Sequence, residues 1–222
     1  MLYSKSDDLN SNKKLKLFDR FSTIYDDHMD ATNHTNCQRI ILGKLKSFIG
    51  RDVCDFCSGT GRNVRIIKEF SKKHNFDLID YSVGMLKVAE DSIGKKVNIS
   101  YLVKDLCKVD RLEKSYDTIL CSFGLYWVAD VRSVINLLSL SIKKNGFVII
   151  LEENFFSVKN TKPLFAKYKG YLERLATLES YIGTDKIEEL FLERNFKLKT
   201  KHREKIDSVH ELVGMVLEAN ND

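Results

Sequence analysis

The feature that most constrains this chain is an alternation of two periodicities. Short apolar runs at residues 53–56, 76–80, 97–103, 118–123 and 147–152 read as strands. Between them lie segments whose apolar residues recur at helical spacing: Val64, Ile67 and Phe70, then Met85, Ala89 and Ile93, then Val131, Ile135, Leu138 and Ile142. Strand and helix in alternation imply right-handed crossovers, hence a parallel sheet covered on both faces. The tail predicts one more helix around Ile187, Leu190 and Phe191, then strands at 196–202 and 212–217, close enough to pair antiparallel. Upstream, residues 1–13 are polar, and Leu15, Phe18, Phe21, Ile24 and Tyr25, then Ile41, Leu45 and Phe48, repeat at helical spacing. With 222 residues and 43% hydrophobic content the chain can bury one full core, so one doubly wound α/β domain over 1–222 is expected.

Several classes are excluded early. The longest apolar run, residues 147–151, is far short of the ~20 residues that cross a bilayer. The polar N-terminus has no apolar stretch of a secretory signal. The net charge of +5 comes from 36 basic and 31 acidic residues that are interspersed, a poor basis for nucleic-acid binding. Five cysteines, an odd number mostly in apolar segments, fit a reduced, cytoplasmic compartment.

Ligands of such sheets bind outside the carboxyl ends of the strands, near the point where the strand order reverses. After the first strand, Asp55-Phe56-Cys57-Ser58-Gly59-Thr60-Gly61-Arg62 opens a helix. Gly59 and Gly61 permit a tight turn and let a ligand lie against bare amides at a helix start. The third glycine of a dinucleotide fingerprint would fall at Val64, and no phosphate-loop Gly-Lys-Ser/Thr is present. Alone, the pair of glycines is equally an ordinary strand-to-helix turn. Asp80, at the end of the second strand, lies near the ~20-residue offset at which a carboxylate meets a ribose diol. Asp105 ends the third strand and can accept from an adenine amino group, with Met85 or Leu106 packed on the ring.

These residues carry a family resemblance. Residues 53–61, residues 80–86 (Asp80-Tyr81-Ser82-Val83-Gly84-Met85-Leu86) and Lys104-Asp105-Leu106 resemble the first three motifs of class I S-adenosylmethionine (SAM)-dependent methyltransferases. Residues 116–125 and Lys143-Lys144-Asn145-Gly146-Phe147 resemble the fourth and fifth, in the same order and spacing. The resemblance implies a Rossmann-like, seven-stranded, mostly parallel sheet with the last strand antiparallel. It places Cys57, Ser58, Gly59, Thr60 and Gly61, with Asp55, along the methionine of SAM, and Asp80 and Tyr81 at the ribose. Met85, Lys104, Asp105 and Leu106 fall at the adenine, and Cys121 and Ser122 flank the methionine end. Residues 1–34, with Tyr25, His28 and His34, correspond to a lid over the cofactor. Cys57 stands where many members carry a glycine, and Asn145 where a proline is common. The overall look resembles the group that includes ubiquinone and menaquinone biosynthetic methyltransferases.

Rival chemistries find less support. Cys54-Asp55-Phe56-Cys57 is formally C-x-x-C, but it straddles a strand end rather than opening a helix, and no second pair completes a zinc set. The histidines at 28, 34, 74, 202 and 210 form no H-E-x-x-H or similar motif, so no metal is expected, and His74 and His202 read as surface residues. Lys197, Lys199, Lys201, Arg203 and Lys205 alternate along one strand, either as a phosphate stripe or as the guard of a sheet edge. Edge protection is favoured, because the resembled fold places that strand at the sheet edge, and no aromatic residues interleave for base stacking.

Methyl transfer from a sulfonium needs chiefly alignment and exclusion of water, and a base only if the acceptor must lose a proton. By analogy Tyr126, Glu153 and His34 are the catalytic candidates, with Trp127 and Glu152 beside them. Phe155, Phe156, Leu164, Phe165, Tyr168, Tyr171, Leu172, Leu175 and Tyr181 lie in a substrate-side stretch, 153–183, and either line an apolar pocket or dock a helix on the core. The expected function is methyl transfer from SAM to a small, aromatic or apolar acceptor, with S-adenosylhomocysteine (SAH) as product. A protein or RNA methyltransferase, and a SAM-binding protein without turnover, are the alternatives.

Overall fold

The computed structural model describes residues 15–128, 130–155, 183–208 and 210–220. A helix at residues 15–21 (α1) leads into α2 (Tyr25–Ala31), α3 (His34–Leu45) and a 3-10 turn, Lys46–Phe48. There follow β1 (Asp52–Phe56), α4 (Arg62–Phe70), β2 (Asn75–Asp80), α5 (Val83–Ile93) and β3 (Ile99–Val103). Next come β4 (Tyr116–Ser122), α6 (Val131–Ser141), β5 (Ile142–Phe155), α7 (Thr184–Leu192), β6 (Phe196–Lys205) and β7 (His210–Ala219). Further 3-10 turns, Leu106–Lys108 and Leu125–Trp127, follow β3 and β4.

The seven strands form one sheet in the order β3-β2-β1-β4-β5-β7-β6. β7 runs antiparallel to both neighbours, whereas β1 to β5 pair in parallel. The order reverses between β1 and β4, so the ligand crevice is expected above their carboxyl ends. Alternation along each strand sends residues to two separate cores. Phe56, Ile119, Cys121, Val148 and Ile150 pack with α6 and α7 on one face. Val53, Leu120, Ile149 and Leu151 pack with α3, α4 and α5 on the other. Because both faces of β4 and β5 are covered, these strands read as continuous apolar runs.

Some boundaries differ from the sequence reading. Ile142, assigned to the stripe of α6, is the first residue of β5, where it faces Tyr116. Asn145 sits at φ 59, a left-handed conformation that asparagine tolerates and proline cannot reach, so the departure from the family's proline follows from the backbone path. His74 is buried, not at the surface, and its Nδ1 lies 2.6 Å from the Gly50 carbonyl oxygen. β6 is the edge strand, as expected, but a register shift between Leu198 and Thr200 breaks the basic stripe. Lys197 and Lys201 therefore face opposite sides of the sheet. Lys199 pairs with Glu218, Lys201 with Asp185 and Glu188, and Arg203 with Glu211. The aromatic stretch at 156–182 lies outside the described residues. Among the described residues no helix is long and apolar enough to cross a membrane.

Candidate active site

The loop between β1 and α4 is built on three left-handed residues at alternate positions: Cys57 at φ 55, Gly59 at φ 54 and Gly61 at φ 73. A methyl group added at Gly59 would meet nothing within 4 Å, so the bare backbone faces open space. At Gly61 it would strike Ile93, Leu78 and Ala89, so this glycine exists to let α4 start against β2 and α5. Cys57 holds its conformation with a side chain, and Gly124 makes room for it. A Cβ at Gly124 would lie 2.7 Å from Cys57 Cβ and 3.0 Å from Cys121 Sγ.

Asp80 ties two loops together at the end of β2. Its Oδ2 accepts the Gly59 N–H at 2.8 Å and its Oδ1 accepts the Ser82 N–H at 2.8 Å. Ser82 in turn caps α5 by accepting the Met85 N–H at 3.1 Å. Asp105 does the same after β3, accepting the Cys107 N–H at 3.1 Å. The N-terminal helices are fastened across these loops. Asp19 accepts the Ser82 hydroxyl at 2.5 Å and the Gly84 N–H at 3.0 Å. Asp26 accepts the Thr60 hydroxyl at 2.6 Å and pairs with Arg65.

A cleft opens where these parts meet. Cys57, Gly59, Asp80, Tyr81 and Met85 line one side, and Lys104, Asp105, Leu106 and Cys107 the next. Ser122, Phe123, Gly124, Trp127 and Val128 close it from β4, and Leu15, Phe18 and Tyr25 from the N-terminal helices. Phe18 meets Trp127 edge to face, with ring centroids 5.0 Å apart. A bare glycine backbone, a carboxylate at the adjacent strand end and an apolar slot beyond it suit a nucleoside joined to a charged, flexible chain.

Comparison with known proteins gives this cleft its context. The family model described as the ubiE/COQ5 methyltransferase family matches residues 6–197. The chain belongs to the ubiE/COQ5 methyltransferase family. It is 25% identical over 166 residues to a demethylmenaquinone methyltransferase of Chlamydia caviae, covering 73% of this chain and 70% of that one. It is 23% identical over 188 residues to a malonyl-[acyl-carrier protein] O-methyltransferase of Ilyobacter polytropus, covering 81% of this chain and 67% of the relative. Among solved structures, the N-methyltransferase NodS of Bradyrhizobium japonicum, in complex with SAH, superposes with a TM-score of 0.65 at 12% identity, covering 93% and 98% of the two chains. A putative methyltransferase of Haloferax volcanii, in complex with its Trm112 activator, superposes at 0.71 with 14% identity, covering 94% and 98%. As a ubiE/COQ5 methyltransferase the chain is a class I, SAM-dependent enzyme with a Rossmann-like sheet.

The residues present fit that cofactor, because open space lies over Gly59 and the carboxylate of Asp80 stands in the cleft wall. Of the residues expected from sequence, Tyr25, Cys57, Gly59, Asp80, Tyr81, Met85, Lys104, Asp105, Leu106 and Ser122 come together around the cleft. Asp55, Ser58, Thr60, Gly61 and Cys121 stand behind it and shape the loop. Sequence reasoning missed the cleft roles of Leu15, Phe18, Cys107, Phe123, Gly124 and Val128. The signal for two of them was present: Phe123 and Gly124 follow a strand end, and Phe123 turns left-handed at φ 57.

Behind the cleft runs a buried polar network. Asn63 donates to Asp55 Oδ1 at 2.7 Å, while its own Oδ1 accepts from Ser122 at 2.9 Å and from Gln38 at 2.5 Å. Asp55 Oδ2, fully buried, has no hydrogen-bond partner. Burial raises the Asp55 carboxyl to about 7, against the opposing bond from Asn63. Burial also raises Asp80 and, well above the ordinary carboxylate range, Glu152, whose Oε1 accepts the Gly124 and Leu125 N–H groups at 3.0 and 2.8 Å. A carboxyl whose pKa is higher folded than unfolded favours folding below its ordinary value, and that contribution is lost as pH rises through the folded value. Asp55→Asn is therefore expected to be more stable than the wild type at pH 8, by about 2–4 kcal/mol at roughly 1.4 kcal/mol per unit. The difference should vanish by about pH 4, near the ordinary carboxylate value. Chemical denaturation of both SAM-free proteins across this range tests it, and a difference independent of pH would contradict it.

The three catalytic candidates divide. His34 and Glu153 are brought into contact, His34 Nε2 lying 2.6 Å from Glu153 Oε1, both buried. Phe123 stands between this pair and the cleft, its ring 5.9 Å from that of His34. Tyr126 belongs to the 3-10 turn Leu125–Trp127, and its side chain lies outside the described residues. His28 is exposed on α2 and is not in the cleft.

Proposed function

We propose that the enzyme methylates a small, largely apolar acceptor seated at the outer ends of β4 and β5, under the N-terminal helices. The observation that carries this reading is the composition of the cleft on that side, where Phe18, Tyr25, Phe123 and Trp127 gather next to the buried His34–Glu153 pair. Aromatic walls match a flat or greasy molecule. The relatives named for demethylmenaquinone and for malonyl-[acyl-carrier protein] support a polar group on an otherwise apolar or acyl body.

In this reading Asp80 receives the ribose, Met85 and Leu106 sandwich the adenine beside Asp105, and residues 57–61 run along the methionine chain. Ser122 and Cys121 stand at its end, with Asp55 and Asn63 behind. Bound SAM supplies an electrophilic methyl group on a sulfonium, which an acceptor displaces in line. The chain's own contribution is alignment and dryness: Tyr25 and Phe18 cover the site, and Asp19 and Asp26 hold α1 and α2 down over the cleft. Tyr126, on the turn after β4, is the candidate to orient the acceptor, and the buried His34–Glu153 pair backs the cleft wall from behind Phe123. Nucleic acid is not the expected acceptor, since Lys199, Lys201 and Arg203 are engaged in ion pairs on the sheet edge. The five cysteines carry no disulfide, which suits a reducing, cytoplasmic compartment.

The test is transfer of labelled methyl from SAM to a panel of reduced quinones, phenols and acyl thioesters, with RNA and protein beside them. Turnover is expected within the small-molecule set. Trp127→Ala is expected to lower kcat/KM by about 100-fold through misplacement of the acceptor. Turnover confined to RNA or protein would overturn the reading.

A further inference from the structure

We infer that His34, Glu153 and His210 form a binding site for a divalent transition-metal ion. The reading goes beyond the proposed methyl transfer and does not depend on it. The three residues come from the start of α3, the end of β5 and the start of β7, and they are 5%, 4% and 3% exposed. Each offers one ligand atom, and the three atoms lie within 4.8 Å of one another. Sheet register explains the meeting. Glu153 pairs with Leu212 and Phe155 with His210, so Glu153 and His210 are diagonal neighbours on one face of the β5–β7 ladder. That face is the one on which α3 packs, through Ile41, Leu42 and Leu45.

The hydrogen bonds around both imidazoles fix their orientation. The Thr32 hydroxyl donates to the His28 carbonyl at 2.7 Å, so toward His34 it accepts, and Nδ1 of His34 carries the proton at 2.7 Å from it. The Thr32 carbonyl, an acceptor only, lies 3.1 Å from the same nitrogen. Nε2 of His34 faces the Glu153 carboxylate, 2.6 Å from its Oε1, so the two ligand atoms point to the same place. His210 is held in the same way: its Nδ1 lies 2.7 Å from Asp207 Oδ1, which also accepts the His210 main-chain N–H at 3.1 Å. A histidine whose far nitrogen donates to a carboxylate or a backbone oxygen is the usual arrangement behind a metal ligand, since it fixes the tautomer and raises basicity.

Two imidazoles and one carboxylate suit zinc, iron, cobalt or nickel better than magnesium or calcium, which prefer all-oxygen sets. Ligands bound at about 2.0–2.2 Å stand roughly 3–3.5 Å apart, so on binding the 2.6 Å His34–Glu153 contact must open and the widest separation close. Three protein ligands leave at least one further coordination position open. None of this is legible from spacing, because the ligands lie in three distant parts of the chain.

Full-length protein stripped with a chelator should bind one Co2+ per chain, read from the visible absorption of the bound ion, and Zn2+ should displace it. X-ray absorption of the zinc form should show two imidazoles at about 2.0–2.1 Å. His210→Ala should abolish stoichiometric uptake, and Asp207→Asn should weaken it by about 10–100-fold. SAM titration of each variant reports that the fold is kept. Wild-type protein that takes up neither ion, or a His210→Ala variant that binds as the wild type does, would overturn the proposal and leave the His34–Glu153 contact as a buried hydrogen bond. Metal uptake without SAM binding would sink the methyl-transfer reading and leave the metal site standing.

Discussion

Asp80→Ala is expected to raise the dissociation constant for SAM by about two orders of magnitude. A carboxylate that accepts two ribose hydroxyls makes hydrogen bonds to a charged group, each worth about 1.5–3 kcal/mol, and 1.4 kcal/mol is a factor of ten. The same side chain also organises the site before the cofactor arrives, because it holds the N–H groups of Gly59 and Ser82. The alanine variant loses both roles, so the loop after β1 and the start of α5 lose their common anchor. Asp80→Asn keeps oxygen and shape but forfeits the charge, and an intermediate loss of about ten-fold is expected. Calorimetric titration of both variants measures this. Equal affinity for wild type and alanine variant would place the ribose elsewhere.

Gly61→Val is expected to produce the largest loss of stability of any single change in the cleft loop. The residue sits at φ 73, where a side chain costs about 1–2 kcal/mol and a β-branched one more. Its Cβ alone would lie 2.6 Å from Ile93 Cδ1, 3.0 Å from Leu78 Cδ2 and 3.1 Å from Ala89 Cβ, and overpacking of such a contact adds about 1–3 kcal/mol. A total near 4 kcal/mol corresponds to a fall in Tm of roughly 8–16 °C for a chain of this size. Gly59→Ala makes the informative contrast. Its Cβ meets nothing, so stability should fall only by the backbone strain of about 1–2 kcal/mol, while the methyl projects into the space where the cofactor lies. Thermal melts and SAM titrations of the two variants separate a glycine that packs from a glycine that faces ligand. Similar melts for Gly61→Val and wild type would contradict this account.

What the sequence made legible was local. Strands 53–56 and 76–80 and the loops after them are read from a few neighbouring residues, and the cleft is assembled from such strand ends. What it hid depends on contacts between distant segments. Asn145 looks like a plain departure from the family's proline until its left-handed φ shows that proline is barred there. Cys57 looks like a damaged glycine loop, yet Gly124, on another strand end, supplies the missing room. The basic residues of β6 read as one stripe because a register shift leaves no mark in the spacing of the lysines. His34 and Glu153 could each be named from their places in the chain, but their contact and the approach of His210 follow from β5–β7 register and the seat of α3.

The most direct test of the central claim is the structure of the protein crystallised with SAH. The account predicts one SAH per chain, its ribose hydroxyls on Asp80, its adenine between Met85 and Leu106, and its homocysteine chain along residues 57–61. An SAH molecule seated away from the ends of β1, β2 and β3, or a cleft left empty at saturating SAH, would contradict it.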